Sequence, residues 1–216
     1  MVKEWKEENK LEAWILKWFY ATAVICTYDA TFCVFRPYTL PGEPLHAPWY
    51  PYRMYMAVDQ RYKDTNDSFS FTQSLLNYGE VILNIVTIVL QYLTERRCTK
   101  CIFRDFFDFF PALWNNRYTK ILAYTVSVMT FWKTVLYMLM YLELAGGKDY
   151  RKGNNPLQEF FVVFVPNAIW LVVPALCIYY LWMELSNKTR RVENSDVDGN
   201  ETPLGGGHSY DLRKRK

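Results

Sequence analysis

The feature that most limits what this chain can fold into is the apolar run from Phe160 to Leu185, which carries no charge before Glu184. About 20 such residues are needed for a helix to cross a hydrocarbon core about 30 Å thick, and this run is long enough. Within it lies Phe164-Val165-Pro166-Asn167-Ala168-Ile169-Trp170-Leu171-Val172-Val173-Pro174. Helical spacing puts Asn167 and Trp170 on one face, with Pro174 a turn further along that face. An amide in hydrocarbon needs a protein or ligand partner, and prolines survive there only where neighbours or a cavity satisfy the freed carbonyls. Asn167 is therefore either a contact between helices or part of a site.

Three further windows reach spanning length: Trp14 to Phe35, Leu75 to Glu95 and Tyr118 to Leu142. The overall composition, 51% hydrophobic and 22% charged, averages these runs with charged connections and hides them. The start, Met1 to Lys10, is mixed-charge and no small-residue cleavage site follows the first run, so that run is expected to stay as a span rather than leave as a signal peptide. The expected fold is all-α: a polytopic membrane four-helix bundle with an aromatic, proline-rich lumenal loop. Its spans fall at about 14–35, 75–95, 118–142 and 160–185, making a membrane domain over 14–185. An amphipathic arm, 1–13, precedes it, and a polar tail, 186–216, reads as disordered.

Lysine and arginine set the expected orientation. The arm, the 96–117 connection and the tail are all basic and face the cytosol together only if four helices cross. Both termini are then cytosolic, and the 36–74 and 145–158 loops lumenal. The last residues, Arg213-Lys214-Arg215-Lys216, resemble the basic retrieval signals of endoplasmic reticulum membrane proteins, which is the expected location; a polybasic headgroup contact is the alternative.

Five cysteines, three of them within spans, make no disulfide framework. Cys98-Thr99-Lys100-Cys101 supplies half a zinc site at most, so no metal and no cofactor is expected. Asn66-Asp67-Ser68 is a glycosylation sequon on the expected lumenal side. Between Pro37 and Met56 the first loop holds five prolines and many aromatic residues, which suits a packed lid or an interfacial anchor. The 146–156 segment reads as a plain turn, and Phe106-Phe107-Asp108-Phe109-Phe110 as an interfacial aromatic patch.

Polar residues inside spans carry the functional expectation, because each is by default directed at a bundle interior. In the second window Gln73, Asn77, Glu80 and Asn84 recur at helical spacing. Asp29, Glu80, Lys133 and Asn167 lie at similar distances from the expected lumenal ends of their helices, within about 6 Å of depth at 1.5 Å per residue. The ligand-binding layer is accordingly Asp29, Glu80, Lys133, Tyr137, Asn167 and Trp170. Lys133 is expected to pair with one of the two carboxylates, leaving the other to bind a ligand amine, hold a proton or bond Asn167. Trp170, Trp132, Tyr137 and Tyr28 are the expected aromatic wall. A purely structural ion pair that fixes helix packing remains the alternative.

The segment Pro166-Asn167-Ala168-Ile169-Trp170-Leu171-Val172-Val173-Pro174, together with Asp59-Gln60-Arg61-Tyr62, the acidic residue late in the first helix and Lys133-Thr134-Val135-Leu136-Tyr137, resembles the membrane (EXPERA) domain of the emopamil-binding protein and sigma-2 receptor family. The resemblance covers roughly Trp14 to Leu185 and implies a sterol-sized pocket among helices in the endoplasmic reticulum. It places Asp29, Asn167 and Trp170 at family site positions, and Glu80 near a second acid. The sequence departs at Ile25, where the isomerase branch has a histidine. The expected function is binding of a sterol or other lipid without catalysis. One alternative is a sterol double-bond isomerase using Asp29, Glu80 and Trp170; another is an accessory subunit with protein partners in a lipid-handling membrane complex. The expected partners are a lipid and the membrane, and no nucleic acid.

Overall fold

The structure, a computed structural model, describes residues 10–96, 116–142, 144 and 150–200, with backbone alone for 94–96, 116–117 and 188–200. The CxxC pair, the Phe106 to Phe110 patch, most of the charged arm and the final basic residues lie outside the described residues. Those described form helices and turns, with no strand among them. In chain order the helices are α1 (Ala13–Val34), α2 (Tyr52–Val58), α3 (Ser68–Arg96), α4 (Asn116–Tyr141), α5 (Pro156–Glu159) and α6 (Val165–Asn200).

Three segments are long and apolar enough to cross a membrane: Ser68–Leu93, Tyr118–Tyr141 and Pro156–Asn187. The first helix, expected as a fourth span, is 22 residues long but is not one of these three. Its apolar residues are interrupted by Lys17, Thr22, Thr27, Tyr28, Asp29 and Thr31. Of these, Thr22 is fully buried, so part of the polarity that lowers its mean hydropathy is turned inward.

Helices α1 and α3 run antiparallel, and polar pairs set their register. Leu11 N–H donates to Gln91 Oε1 at one end (3.2 Å). Asn84 Nδ2 donates to Thr22 Oγ1 midway (3.1 Å), and the Thr31 and Tyr78 hydroxyls meet near the other end (2.9 Å). The stripe expected on α3 is the face turned to its neighbours: Asn77, Glu80 and Asn84 are buried and Gln73 half-buried, and Gln91, outside the expected stripe, is buried too. Two apolar clusters flank it. One joins Leu11, Ile15 and Phe19 to Ala123 of α4 and to Cys177 and Leu181 of α6. The other, at the opposite end, joins Phe32 and Cys33 to Met56, Val58, Tyr62, Tyr137, Tyr141 and Val163.

The final helix begins in steps. Asn155 Oδ1 caps α5 by accepting from Leu157 N–H (2.9 Å), with Pro156 in the first turn. A π turn then spans Phe160–Phe164, in which Val165 N–H reaches back to Phe160 O. Proline 166 has no N–H for the carbonyl four residues before it, and a wider turn is one way to take up that break.

Two sequence expectations change. The 145–158 loop is more than a plain turn where it is described. Arg151 clamps Glu159 with two bonds of 2.9 and 2.7 Å, and Asn154 Nδ2 donates to Val58 O (2.6 Å). The Arg61 guanidinium lies over the rings of both Phe69 and Tyr150. The tail expected to be disordered from Ser186 is helical as far as Asn200. A helix already formed adds residues without a new nucleation cost, and no proline interrupts before Pro203. The described residues from Trp182 to Asn200 belong to a unit separate from the one that ends at Leu181.

Candidate functional site

Between the two apolar clusters lies a cavity of about 340 Å³. Its polar floor is made where α1, α3 and α4 meet. The Asp29 carboxylate accepts three hydrogen bonds there: Tyr52 Oη at 2.7 Å and Tyr62 Oη at 3.1 Å on Oδ1, and Asn77 Nδ2 at 3.1 Å on Oδ2. All three donors are neutral, and no cation reaches ion-pair distance of Asp29 among the described residues. A carboxylate offers about four acceptor sites, so one remains.

The lysine is engaged elsewhere. Lys133 Nζ donates to Asn77 Oδ1 and to Glu80 Oε2, and the Glu80 side chain is completely buried beneath it. Glu80 Oε1 also faces the Cys26 thiol at 3.8 Å. Of the two pairings open to Lys133, the fold selects Glu80. Asn77 joins the halves, accepting from Lys133 with its oxygen and donating to Asp29 with its nitrogen. The orientation of that amide follows from the charges it links.

A second network leaves the cavity toward the loops. The Tyr137 hydroxyl donates to Asp59 Oδ2 (2.7 Å), which uses its single proton. Tyr55 Oη, 2.7 Å from Tyr137 Oη, therefore donates to Tyr137. Asp59 Oδ1 in turn accepts from Arg61 N–H (3.1 Å). Burial raises the Asp59 carboxyl above its ordinary range, against the opposing pull of the Tyr137 hydrogen bond and of Arg61. Burial and then the Asp59 charge raise the Tyr55 phenol in the same way.

Five of the six residues expected in the site line the cavity: Asp29, Lys133, Tyr137, Asn167 and Trp170. Glu80 does not, because it sits behind Lys133. Asn167 Nδ2 donates to Val163 O, one turn earlier in the chain (2.8 Å), and its side chain also interacts with the Tyr55 hydroxyl of α2. The Trp170 ring meets Trp18 edge to face at 5.2 Å between centroids.

The aromatic wall differs from the one expected. Trp132 is 62% exposed, and Tyr28 stacks on Trp49 outside the cavity. The wall is instead Tyr52, Tyr55 and Tyr62 with Tyr137 and Trp170. Three of these come from the segment between α1 and α3, whose aromatic content is visible in the sequence while its insertion among the helices is not. Gln73 and Asn77 belong to the stripe already visible on α3. Ile25, where the resembled isomerases have a histidine, also lines the cavity and is 47% exposed. With the exposed Pro51 it marks the open side.

What the arrangement can do follows from its groups. It offers an acceptor fixed by neutral donors, aromatic faces around it and an apolar exit. Asp29 is the carboxylate that lines the cavity, while Glu80 is held by Lys133 behind it. No protein-family model matches the chain, and neither curated proteins nor solved structures give a match.

Proposed function

We propose that this chain is a multi-pass endoplasmic reticulum membrane protein, built as a four-helix bundle, that binds a sterol or related lipid amphiphile without transforming it. The observation that carries this reading is Asp29. Its carboxylate stands at the floor of a largely aromatic cavity, fixed by Tyr52, Tyr62 and Asn77, while the nearby lysine is occupied by Glu80. A ligand hydroxyl fills the remaining acceptor site as a charge-assisted hydrogen bond, the stronger kind of such contacts. Rings pack on Tyr55, Tyr137 and Trp170. At about 340 Å³ the cavity is near the small end of ligand pockets, so it encloses the polar end and the tail leaves past Ile25.

Four further points support the reading. Three helices are apolar enough to cross a membrane, and α1 turns Thr22, Asp29 and Thr31 to polar partners on α3. The resemblance of Pro166 to Pro174 and of Asp59 to Tyr62 to a sterol-handling family points to the same ligand class. Basic residues in the arm, the 96–117 connection and the tail favour cytosolic termini. Isomerisation is the less favoured activity, because general acid–base work requires two groups free to exchange protons.

The test is a photoreactive sterol carrying its diazirine on the ring system, applied to full-length protein in membranes, with labelled peptides mapped by mass spectrometry. Label on peptides containing Tyr55, Tyr137 or Trp170, displaced by excess unlabelled sterol and lost in Asp29→Asn, supports the reading. Label confined to peptides with outward-facing residues such as Val24 and Ile82, or insensitive to competitor, overturns it.

A further inference from the structure

We propose that the proline-rich segment Pro37–Met54 is a re-entrant element whose outer face lies in the bilayer, in contact with lipid, and is not a loop in the aqueous lumen. The inference rests on the reading above that α1 spans the membrane.

The first observation is depth. Helix α1 ends at Val34, yet the segment folds back down it. Trp49 Nε1 donates to Tyr28 O (3.1 Å) and Tyr28 Oη donates to Pro48 O (2.6 Å). Tyr52 Oη reaches Asp29, and the Tyr52 ring stacks on Phe32 at 4.5 Å. Tyr28 lies six residues before the helix end, which is about 9 Å of rise. Residues 48–52 therefore sit at the level of α1's penultimate turns, well below its terminus.

The second observation is the backbone. Irregular chain at membrane depth is tolerated only where its polar groups are satisfied within the protein. Five prolines between Pro37 and Pro51 contribute no N–H. The N–H groups of Leu40, Glu43, Leu45, His46, Trp49 and Tyr50 all close onto nearby carbonyls of the same segment. Most of the donors that would otherwise seek water are thus absent or already used.

The third observation is the outer surface. Met54 is 71% exposed, Tyr50 62% and Leu45 45%, and Val24 and Ile25 of α1 are exposed as well. An apolar face of this kind beside an apolar helix surface fits hydrocarbon and the interfacial layer. The charge on this face is Arg53, whose guanidinium lies over the Tyr50 ring at 5.1 Å. A long side chain so placed can carry its charge to a phosphate headgroup while its stem stays in apolar surroundings. Glu43 is exposed and acidic, and on this proposal it is the position that meets water.

The experiment uses the full chain with Cys98 and Cys101 replaced by serine, reconstituted in phosphatidylcholine vesicles, with single nitroxide labels at Met54→Cys, Tyr50→Cys, Val24→Cys and Glu43→Cys. Electron paramagnetic resonance compares label collision with oxygen, which concentrates in lipid, and with a water-soluble nickel chelate. The expected result is an oxygen-to-nickel ratio at residues 54 and 50 of the same order as at residue 24 and well above that at residue 43. If residue 24 is lipid-exposed while residues 50 and 54 match residue 43, the re-entrant assignment is wrong and the spanning reading of α1 stands. Should residue 24 itself collide freely with nickel, α1 does not span, and both fall.

Discussion

At the residue scale the polar layer divides into a part that holds the helices and a part that is free to act. Lys133 and Glu80 form the first. Removing one partner of a buried pair leaves an uncompensated charge, which costs about 3–5 kcal/mol. Lys133→Met is therefore expected to lower the thermal unfolding midpoint in detergent sharply, and adding Glu80→Gln to recover most of the loss; equal losses in single and double variants would contradict the pairing. Asp29 forms the second part, and its substitution is expected to disturb binding more than folding. Asp59 supplies a pH signature. Burial raises its folded pKa above the unfolded value of about 3.9, so the folded chain holds the proton more tightly. Its contribution to stability is then full below the unfolded value and is lost as pH rises through the raised folded value. Relative to Asp59→Asn, the wild type should gain stability toward acid, as read from midpoints measured across that window.

At the element scale, α3 organises the molecule by presenting one polar face to α1 and α4. Its buried Asn77, Glu80 and Asn84 follow from a repeat that the sequence displays openly, so this helix and its inward face are legible in the sequence. The opposite side carries Gly79, where an added Cβ meets nothing within 4 Å. Gly79→Ala is expected to stabilise the helix by up to about 1 kcal/mol, seen as a raised midpoint with unchanged lipid retention. Helix periodicity says little about connections. The tyrosines of the first loop were visible as an aromatic cluster, but their insertion beside Asp29 depends on pairings up to 33 residues apart, which no local spacing encodes. The same limit explains why Trp132 and Tyr28 were misassigned to the wall: each is aromatic and at the right depth, but side-chain direction decides, and the Tyr28 hydroxyl is drawn outward to Pro48.

At the scale of the whole molecule, the described helices leave one aromatic cavity between two apolar clusters, with a carboxylate at its floor. On the proposed reading the cavity receives an amphiphile, and Ile25, where the resembled isomerases carry a histidine, favours binding over isomerisation. The most direct measurement is lipid mass spectrometry on full-length protein purified from membranes in mild detergent. It compares the wild type with Asp29→Asn and with Ile25→Trp, which narrows the open side without touching the buried network. The expected result is a sterol or related lipid retained by the wild type and lost from both variants, with unfolding midpoints close to the wild type's. Equal retention in all three, or no retained lipid in any, would contradict a binding cavity at Asp29.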